Sequence, residues 1–175
     1  MHTGFLVVIG LGNIGSHLVS ALAALPFLRR VLLVDFDHYQ RSNLGSQMCV
    51  ASDEGSLKTA VQAPRLSALN PRLKVETMAV RLEKLPLGIF HQADWVVSGL
   101  DSRLARIRLN ERIFNVGKTA WIDAGVDGES GLARASVFPA GTGETTPQVC
   151  FECSLSNGDY RMSEVPYLCS PVSQL

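Results

Sequence analysis

The chain has 175 residues, 46% of them hydrophobic and 18% charged, with fifteen glycines. That is one domain of ordinary size with enough apolar content to bury a core, which excludes a disordered chain or a coiled coil. Sixteen Lys and Arg balance sixteen Asp and Glu, so the broad basic footprint of a nucleic-acid binder is missing and no nucleic-acid partner is expected.

The first residues carry no cationic leader, and the apolar run Phe5–Ile9 is too short to span a bilayer. The reading is a cytoplasmic protein with no membrane partner. Phe5–Ile9 itself has the continuous apolar character of a central parallel strand covered on both faces. Leu18, Ala21, Leu22 and Leu25 then recur at helical spacing up to Pro26, which predicts a helix of about three turns. Val31–Val34 is a second strand, ending in Asp35-Phe36-Asp37, and closes a β-α-β unit with a right-handed crossover. His38 to Glu54 is polar and non-periodic, the signature of an ordered surface loop that carries function.

A helix is predicted over Gly55–Leu69 with Leu57, Val61 and Leu66 inward, kinked or split at Pro64. Leu73, Val75, Thr77 and Ala79 alternate with polar residues as a strand, and Trp95–Ser98 is the next buried strand, ending at Gly99-Leu100-Asp101. Ser102 caps a helix running to about Val116, with Gly117 at its C-terminal end. Ala120–Ala124 and Leu132–Phe138 make two more strands, antiparallel across the Asp127–Gly131 turn. From Pro139 onward Gly, Thr, Pro and Ser predict irregular structure and a loose C-terminus.

The chemistry concentrates at strand ends. Gly10-Leu11-Gly12-Asn13-Ile14-Gly15 follows a strand and opens a helix, so backbone N–H groups and the positive helix end converge where a phosphate can sit. Asp35, twenty positions after Gly15, is placed to accept hydrogen bonds from ribose hydroxyls. This is the dinucleotide-binding pattern, and the fold it predicts is α/β: a Rossmann-like, mostly parallel sheet with helices on both faces and antiparallel strands added in the C-terminal part. The expected division is a nucleotide-binding unit over residues 1–138 and a cysteine-containing irregular segment over 139–175. Without a ligand the glycines simply make a tight strand-to-helix turn.

Further residues extend the pattern beyond a nicotinamide site. They are Asp37, Ser42-Asn43-Leu44, Gln47, Lys58 at a helix start and Asp101 at the carboxyl edge of the sheet. A nucleoside triphosphate needs an acid for the ribose, polar groups and a lysine for the phosphates, and a carboxylate for Mg²⁺. Singly, Lys58 reads as a solvated helix charge, Asn43 as a turn former and Asp101 as an acid at a helix N-terminus.

Together with Gly55-Ser56-Leu57-Lys58, Asn70-Pro71 and Cys150-Phe151-Glu152-Cys153, these stretches resemble the ThiF/MoeB/HesA family, the ubiquitin-activating-enzyme-like adenylyltransferases. The resemblance implies ATP-dependent adenylation of the C-terminal carboxylate of a small ubiquitin-like or sulfur-carrier protein, by a homodimer. By position Asp35 would hold the ribose, Asn43 and Lys58 the phosphates, and Asp101 the Mg²⁺. Gly10, Gly12, Asn13, Gly15, Asp37 and Gln47 would line the nucleotide. The chain departs from the family at Ser46, where relatives carry an arginine before the glutamine, and no arginine precedes Gly10; Arg41, in the same loop, is the candidate substitute.

The departures leave two alternatives open: a catalytically weak relative that binds nucleotide or partner as a scaffold, and an NAD-dependent oxidoreductase. Cys150 and Cys153 have the spacing of half a tetrahedral Zn²⁺ site, and the resembling family closes that site with a second pair that is not found here. Cys169, fifteen intervening residues further on, reads as a tail thiol or as the position of a family cysteine with thioester or persulfide chemistry. Cys49 reads as a small buried hydrophobe.

Overall fold

The computed structural model describes residues 4–127, 131–141 and 150–155. Cys169, the centre of the Asp127–Gly131 turn and most of the segment after Pro139 lie outside them. Six strands form one sheet: β1 (Phe5–Ile9), β2 (Arg30–Val34), β3 (Lys74–Met78), β4 (Trp95–Ser98), β5 (Ala120–Asp127) and β6 (Leu132–Phe138). Their spatial order is β3-β2-β1-β4-β5-β6; the first five are parallel and β6 is antiparallel to β5. The expected α/β class and the antiparallel addition are both present.

The helices are α1 (Gly15–Leu22), α2 (Lys58–Leu69), α3 (Leu87–Gln92) and α4 (Arg103–Val116). They cover both faces, and β1 shows why its residues are apolar without interruption. Phe5, Val7 and Ile9 point into a core with Leu32, Val34, Phe90, Ile107, Ile113 and Trp121, while Leu6 and Val8 point into a second core with Val19, Leu22, Val31, Leu33 and Leu66. Alternate residues of one strand face opposite layers, so a strand sandwiched between helices has no polar side. Among the described residues no helix is long and apolar enough to cross a membrane.

Several elements differ from expectation. The first helix has eight residues and ends at Leu22; the chain then goes on to Leu25 through tighter i→i+3 bonds, Ala24 N–H to Ala21 and Leu25 N–H to Leu22. The helix predicted from Gly55 begins at Lys58 and runs twelve residues unbroken past Pro64. Pro64 deprives the Ala60 carbonyl of its partner, but Ala60 and Pro64 are both exposed, so water can satisfy that carbonyl. The inward face of α2 is Lys58, Thr59, Gln62 and Leu66 rather than Leu57, Val61 and Leu66. Helix α3 has no counterpart in the sequence reading; it is short, and Thr119 Oγ1 closes its end by donating to the carbonyls of Phe90 and Ala93 at 2.6 and 3.1 Å. Ser102 and Gly117 terminate α4 as predicted: Ser102 Oγ accepts from Ala105 N–H at 3.3 Å, and Gly117 sits at φ 73°.

The strand order reverses between β1 and β4, and there the backbone is packed without clearance. A Cβ on Gly15 would lie 1.9 Å from the Gly10 carbonyl oxygen, and one on Gly10, at φ +88°, 2.7 Å from that of Gly99. A Cβ on Gly12 meets nothing within 4 Å. Gly15→Ala should therefore cost more than about 2 kcal/mol, whereas Gly12→Ala should stay within about 0.5 kcal/mol of wild type. Urea denaturation of the two variants checks this, and equal losses would contradict the packing argument.

Candidate functional site

A cleft of about 810 Å³ opens at the carboxyl ends of the strands, over the point where their order reverses. Open α/β sheets bind ligands there because the loops leaving neighbouring strands diverge in opposite directions.

Its first wall is the glycine loop. Gly10 N–H donates to the Val34 carbonyl at 2.9 Å and Gly99 N–H to Ile9 at 3.0 Å, which ties β1, β2 and β4 together at their ends. Gly12, Asn13 and Ile14 line the cleft. Helix α1 begins with no side-chain cap at Ile14; the Ser16 N–H of its first turn donates to the Gly12 carbonyl at 3.0 Å, and the positive end of the helix lies behind the loop. Gly15 lies beneath, as the packing glycine. Ser16 Oγ donates to the Gly12 carbonyl at 2.7 Å and accepts from Met48 N–H at 3.0 Å, joining the glycine loop to the loop that carries Gln47.

Asp35 forms the second wall. Its Oδ2 accepts from Leu11 N–H at 2.6 Å and its Oδ1 from Asp37 N–H at 2.8 Å. Burial pushes its carboxyl above the ordinary 3.8, against the pull of those two N–H groups and of nearby Lys58. The folded state thus takes up this proton before the unfolded chain does, and the group's contribution to stability falls as pH rises through the window above 3.8. Asp37 is half-exposed, with Oδ2 3.7 Å from Lys58 Nζ. Lys58 is buried at the start of α2, where its own N–H donates to the Asp37 carbonyl at 2.9 Å.

The structure brings Gly10, Gly12, Asn13, Asp35, Asp37, Gln47, Lys58 and Asp101 to this one cleft. Arg41 and Asn43 do not line it. Arg41 is exposed on a short 3₁₀ turn, and Asn43 Oδ1 accepts from Gln40 N–H at 2.9 Å. Asn43 instead shapes the turn that presents Gln47, whose N–H donates to its carbonyl at 3.0 Å. Gln47 Oε1 is buried and, among the described residues, has no hydrogen-bond partner. A buried acceptor without a protein partner beside a ligand cleft is placed to meet a ligand donor. Asp101 is exposed in the cleft immediately before the cap of α4.

The floor contains a network that sequence reasoning missed. Arg106 Nε donates to Asp123 Oδ2 at 2.9 Å, Ser98 Oγ to Asp123 Oδ1 at 2.6 Å, and Trp121 Nε1 to Ser98 Oγ at 2.9 Å, all four residues being buried. Burial pushes the Asp123 carboxyl upward, while Arg106 and Ser98 pull it back. The signal was available: Asp123 interrupts an apolar strand, and Arg106 falls on the helix face that carries Leu109 and Ile113. Arg81, stacked 4.1 Å over the Phe36 ring, also lines the cleft, as do Arg103, Arg108 and Arg134.

Phe151 closes the far end, packed on Trp121 at 5.7 Å between ring centroids. It is pinned by Asn110, which accepts from Phe151 N–H at 3.0 Å and donates to Glu152 Oε1 at 2.9 Å. Beside it Cys150 Sγ and Cys153 Sγ lie 3.5 Å apart, close enough for two ligands of one ion. No group of three or more His, Cys, Asp or Glu that could hold a metal occurs among the described residues, so a structural Zn²⁺ lacks its remaining ligands there.

The ThiF family model matches residues 2–170. Among curated proteins, the chain is 27% identical over 169 residues to the NEDD8-activating enzyme E1 catalytic subunit of Saccharomyces cerevisiae, covering 92% of this chain and 54% of that protein. It is 32% identical over 149 residues to the sulfur carrier protein adenylyltransferase of Thermus thermophilus, covering 84% and 54%. Among solved structures, Escherichia coli MccB with ATP superposes with a TM-score of 0.70 at 23% identity, over 92% of this chain and 47% of that one, a likeness of fold. The chain thus spans about half the length of the curated relatives it matches.

The buried ion pair generates a test. Arg106→Met strands the Asp123 carboxylate in the interior and should cost about 3–5 kcal/mol, most of it recovered by adding Asp123→Leu. Chemical denaturation of the two variants decides; a double variant no more stable than the single one would show that the pair matters through packing rather than charge.

Proposed function

The chain belongs to the ThiF family, and from that premise we propose that its cleft binds ATP for adenylation of the C-terminal carboxylate of a small ubiquitin-like or sulfur-carrier protein. The observation that carries this reading is the convergence, around one glycine loop, of a ribose-side acid, a buried lysine, an orphaned amide oxygen and an exposed carboxylate. The yeast and Thermus relatives are named for activities of the same class.

In this assignment Gly12, Asn13 and Ile14, at the positive end of α1, meet the phosphates with backbone N–H groups, and Lys58 adds a positive charge. Asp35 has both oxygens engaged by the backbone, and each keeps a lone pair for a ribose hydroxyl. A carboxylate oxygen of the carrier protein attacks the α-phosphorus; the bond to the bridging oxygen breaks, and pyrophosphate leaves with that oxygen. Attacker and triphosphate are both anionic, so the rate depends on positioning and on cations near the leaving group.

The residues fit Mg²⁺ in one respect. A single exposed carboxylate beside a phosphate cradle is the usual protein share of such a site, the phosphates and water supplying the other ligands. Asp101 would hold the ion, and Mg²⁺ so bound neutralises phosphate charge. Zn²⁺ would take Cys150 and Cys153 as a half-site with no part in the reaction.

One observation favours a second reading, a nucleotide- or partner-binding protein of weak turnover. Ser46 stands where the family resemblance implies an arginine, and Arg41 does not line the cleft. Arginines 81, 103, 108 and 134 do line it, which keeps the active reading ahead.

Titration with ATP–Mg²⁺ and with NAD⁺ separates the adenylation reading from an oxidoreductase, and strong binding of NAD⁺ without ATP would overturn it. Lys58→Ala should weaken ATP by about tenfold or more, the worth of a charge-assisted phosphate contact. Gly12→Ala should weaken it as well, since its methyl enters the cradle without disturbing the fold. ATP–pyrophosphate exchange then separates active from weak: Ser46→Arg should raise a slow wild-type rate, and no gain with ATP binding intact would rule out a missing charge.

A further inference from the structure

Lys58 is buried although its ion pair is loose. The charge partner is Asp37 at 3.7 Å, beyond hydrogen-bond length, and Asp37 is itself half-exposed. A lysine with four rotatable bonds and no tight partner would ordinarily swing out to water. What faces its ammonium from inside is the ring of Tyr39, with the centroid 5.9 Å from Nζ, while the buried Asp35 carboxylate attracts it without contact.

Tyr39 is fixed on every side. After β2 the chain pairs with the segment entering α2: Tyr39 N–H donates to the Ser56 carbonyl at 2.9 Å, Gly55 N–H to Tyr39 at 2.9 Å, and His38 bridges Leu57. This short ladder carries the ring beneath the first turn of α2, where it is 1% exposed. Gln62 stands one helical turn after Lys58 on the same face, and its Nε2 donates to the Tyr39 hydroxyl at 2.6 Å and to the Met48 carbonyl at 2.7 Å. One tyrosine therefore meets two successive turns of α2, its ring under the lysine and its hydroxyl on the glutamine. An ammonium within about 6 Å of a ring face is attracted to it, more strongly where water is excluded.

We infer that Tyr39 is a positioning residue for the phosphate-binding lysine: its ring is a shelf that holds the Lys58 ammonium at the cleft, while Gln62 meets its hydroxyl without being required for the contact. The inference rests on the ATP reading for its consequence, though not for the geometry. It also gives a reason why α2 turns polar residues inward. Lys58 and Gln62 are buried because they meet the ring and the hydroxyl of one tyrosine.

The test separates the two claims. Acetylation of Lys58 by a water-soluble succinimidyl ester is followed by mass spectrometry and referred to exposed Lys74 in the same chain. Tyr39→Leu should raise Lys58 labelling about fivefold or more, and Tyr39→Phe, which restores the ring, should stay within about twofold of wild type. ATP affinity should fall about fivefold to tenfold in Tyr39→Leu and recover in Tyr39→Phe, with adenosine affinity unchanged because no phosphate is involved. Tyr39→Met fills the same space without an aromatic face; it should behave as Tyr39→Leu does, and it serves if the leucine variant fails to fold.

A lysine that labels equally in all variants overturns the shelf. ATP binding that falls in Lys58→Ala but not in the leucine or methionine variants overturns the positioning role and leaves the ATP reading standing. If no form binds ATP, the ATP reading fails, and labelling alone decides whether Tyr39 holds the lysine.

Discussion

The ligand edge of this sheet depends on the way Asp35 divides its carboxylate. One oxygen holds Leu11 N–H at 2.6 Å and the other Asp37 N–H at 2.8 Å, so a single buried side chain joins the loop leaving β1 to the loop leaving β2. An ionised group at 8% exposure is unfavourable unless its lone pairs are met. Here backbone donors meet them, and in doing so they fix the two loops that bound the cleft. Structural and ligand roles share one group: the residue placed to meet a ribose also makes the glycine loop rigid enough to present its N–H groups.

The glycines divide their work in a similar way. Gly10 and Gly15 serve packing, since a side chain at either would enter backbone atoms of a neighbouring segment. Gly12 alone of the three faces open space, which suits the close approach of an anion. The spacing of the motif thus encodes two requirements at once, strand-to-helix contact and room for a ligand, and only the second bears on chemistry.

A positive cleft in a chain of zero net charge is a matter of placement. Lys58 and five arginines line it against five acids, of which Asp123 is engaged by Arg106, Glu83 by Arg108, Asp37 by Lys58 and Asp35 by the backbone. Asp101 stays exposed at the mouth. Such an arrangement favours a polyanion with a bound cation over an uncharged ligand. Tyr39 adds to it by keeping one cation inside at a place where hydration would otherwise draw it out.

The sequence alone determined what depends on local rules. Continuous apolar runs marked β1, β2 and β4; Ser102 and Gly117 marked both ends of α4; the glycine loop with Asp35 marked the nucleotide edge. These follow from strand burial, capping and backbone sterics, which operate within a few residues. Only the tertiary structure decided which polar residues turn inward. Lys58, Gln62, Arg106 and Asp123 are buried through partners 17 to 23 positions away, or through a ring brought in by a loop, and polar character by itself assigns such residues to the surface even where their spacing falls on a buried face. Arg41 and Asn43 stood in the right stretch of chain but do not line the cleft, because a 3₁₀ turn directs Gln47 there instead. Side-chain direction in an irregular loop is set by long-range hydrogen bonds, and those exist only once the chain has folded.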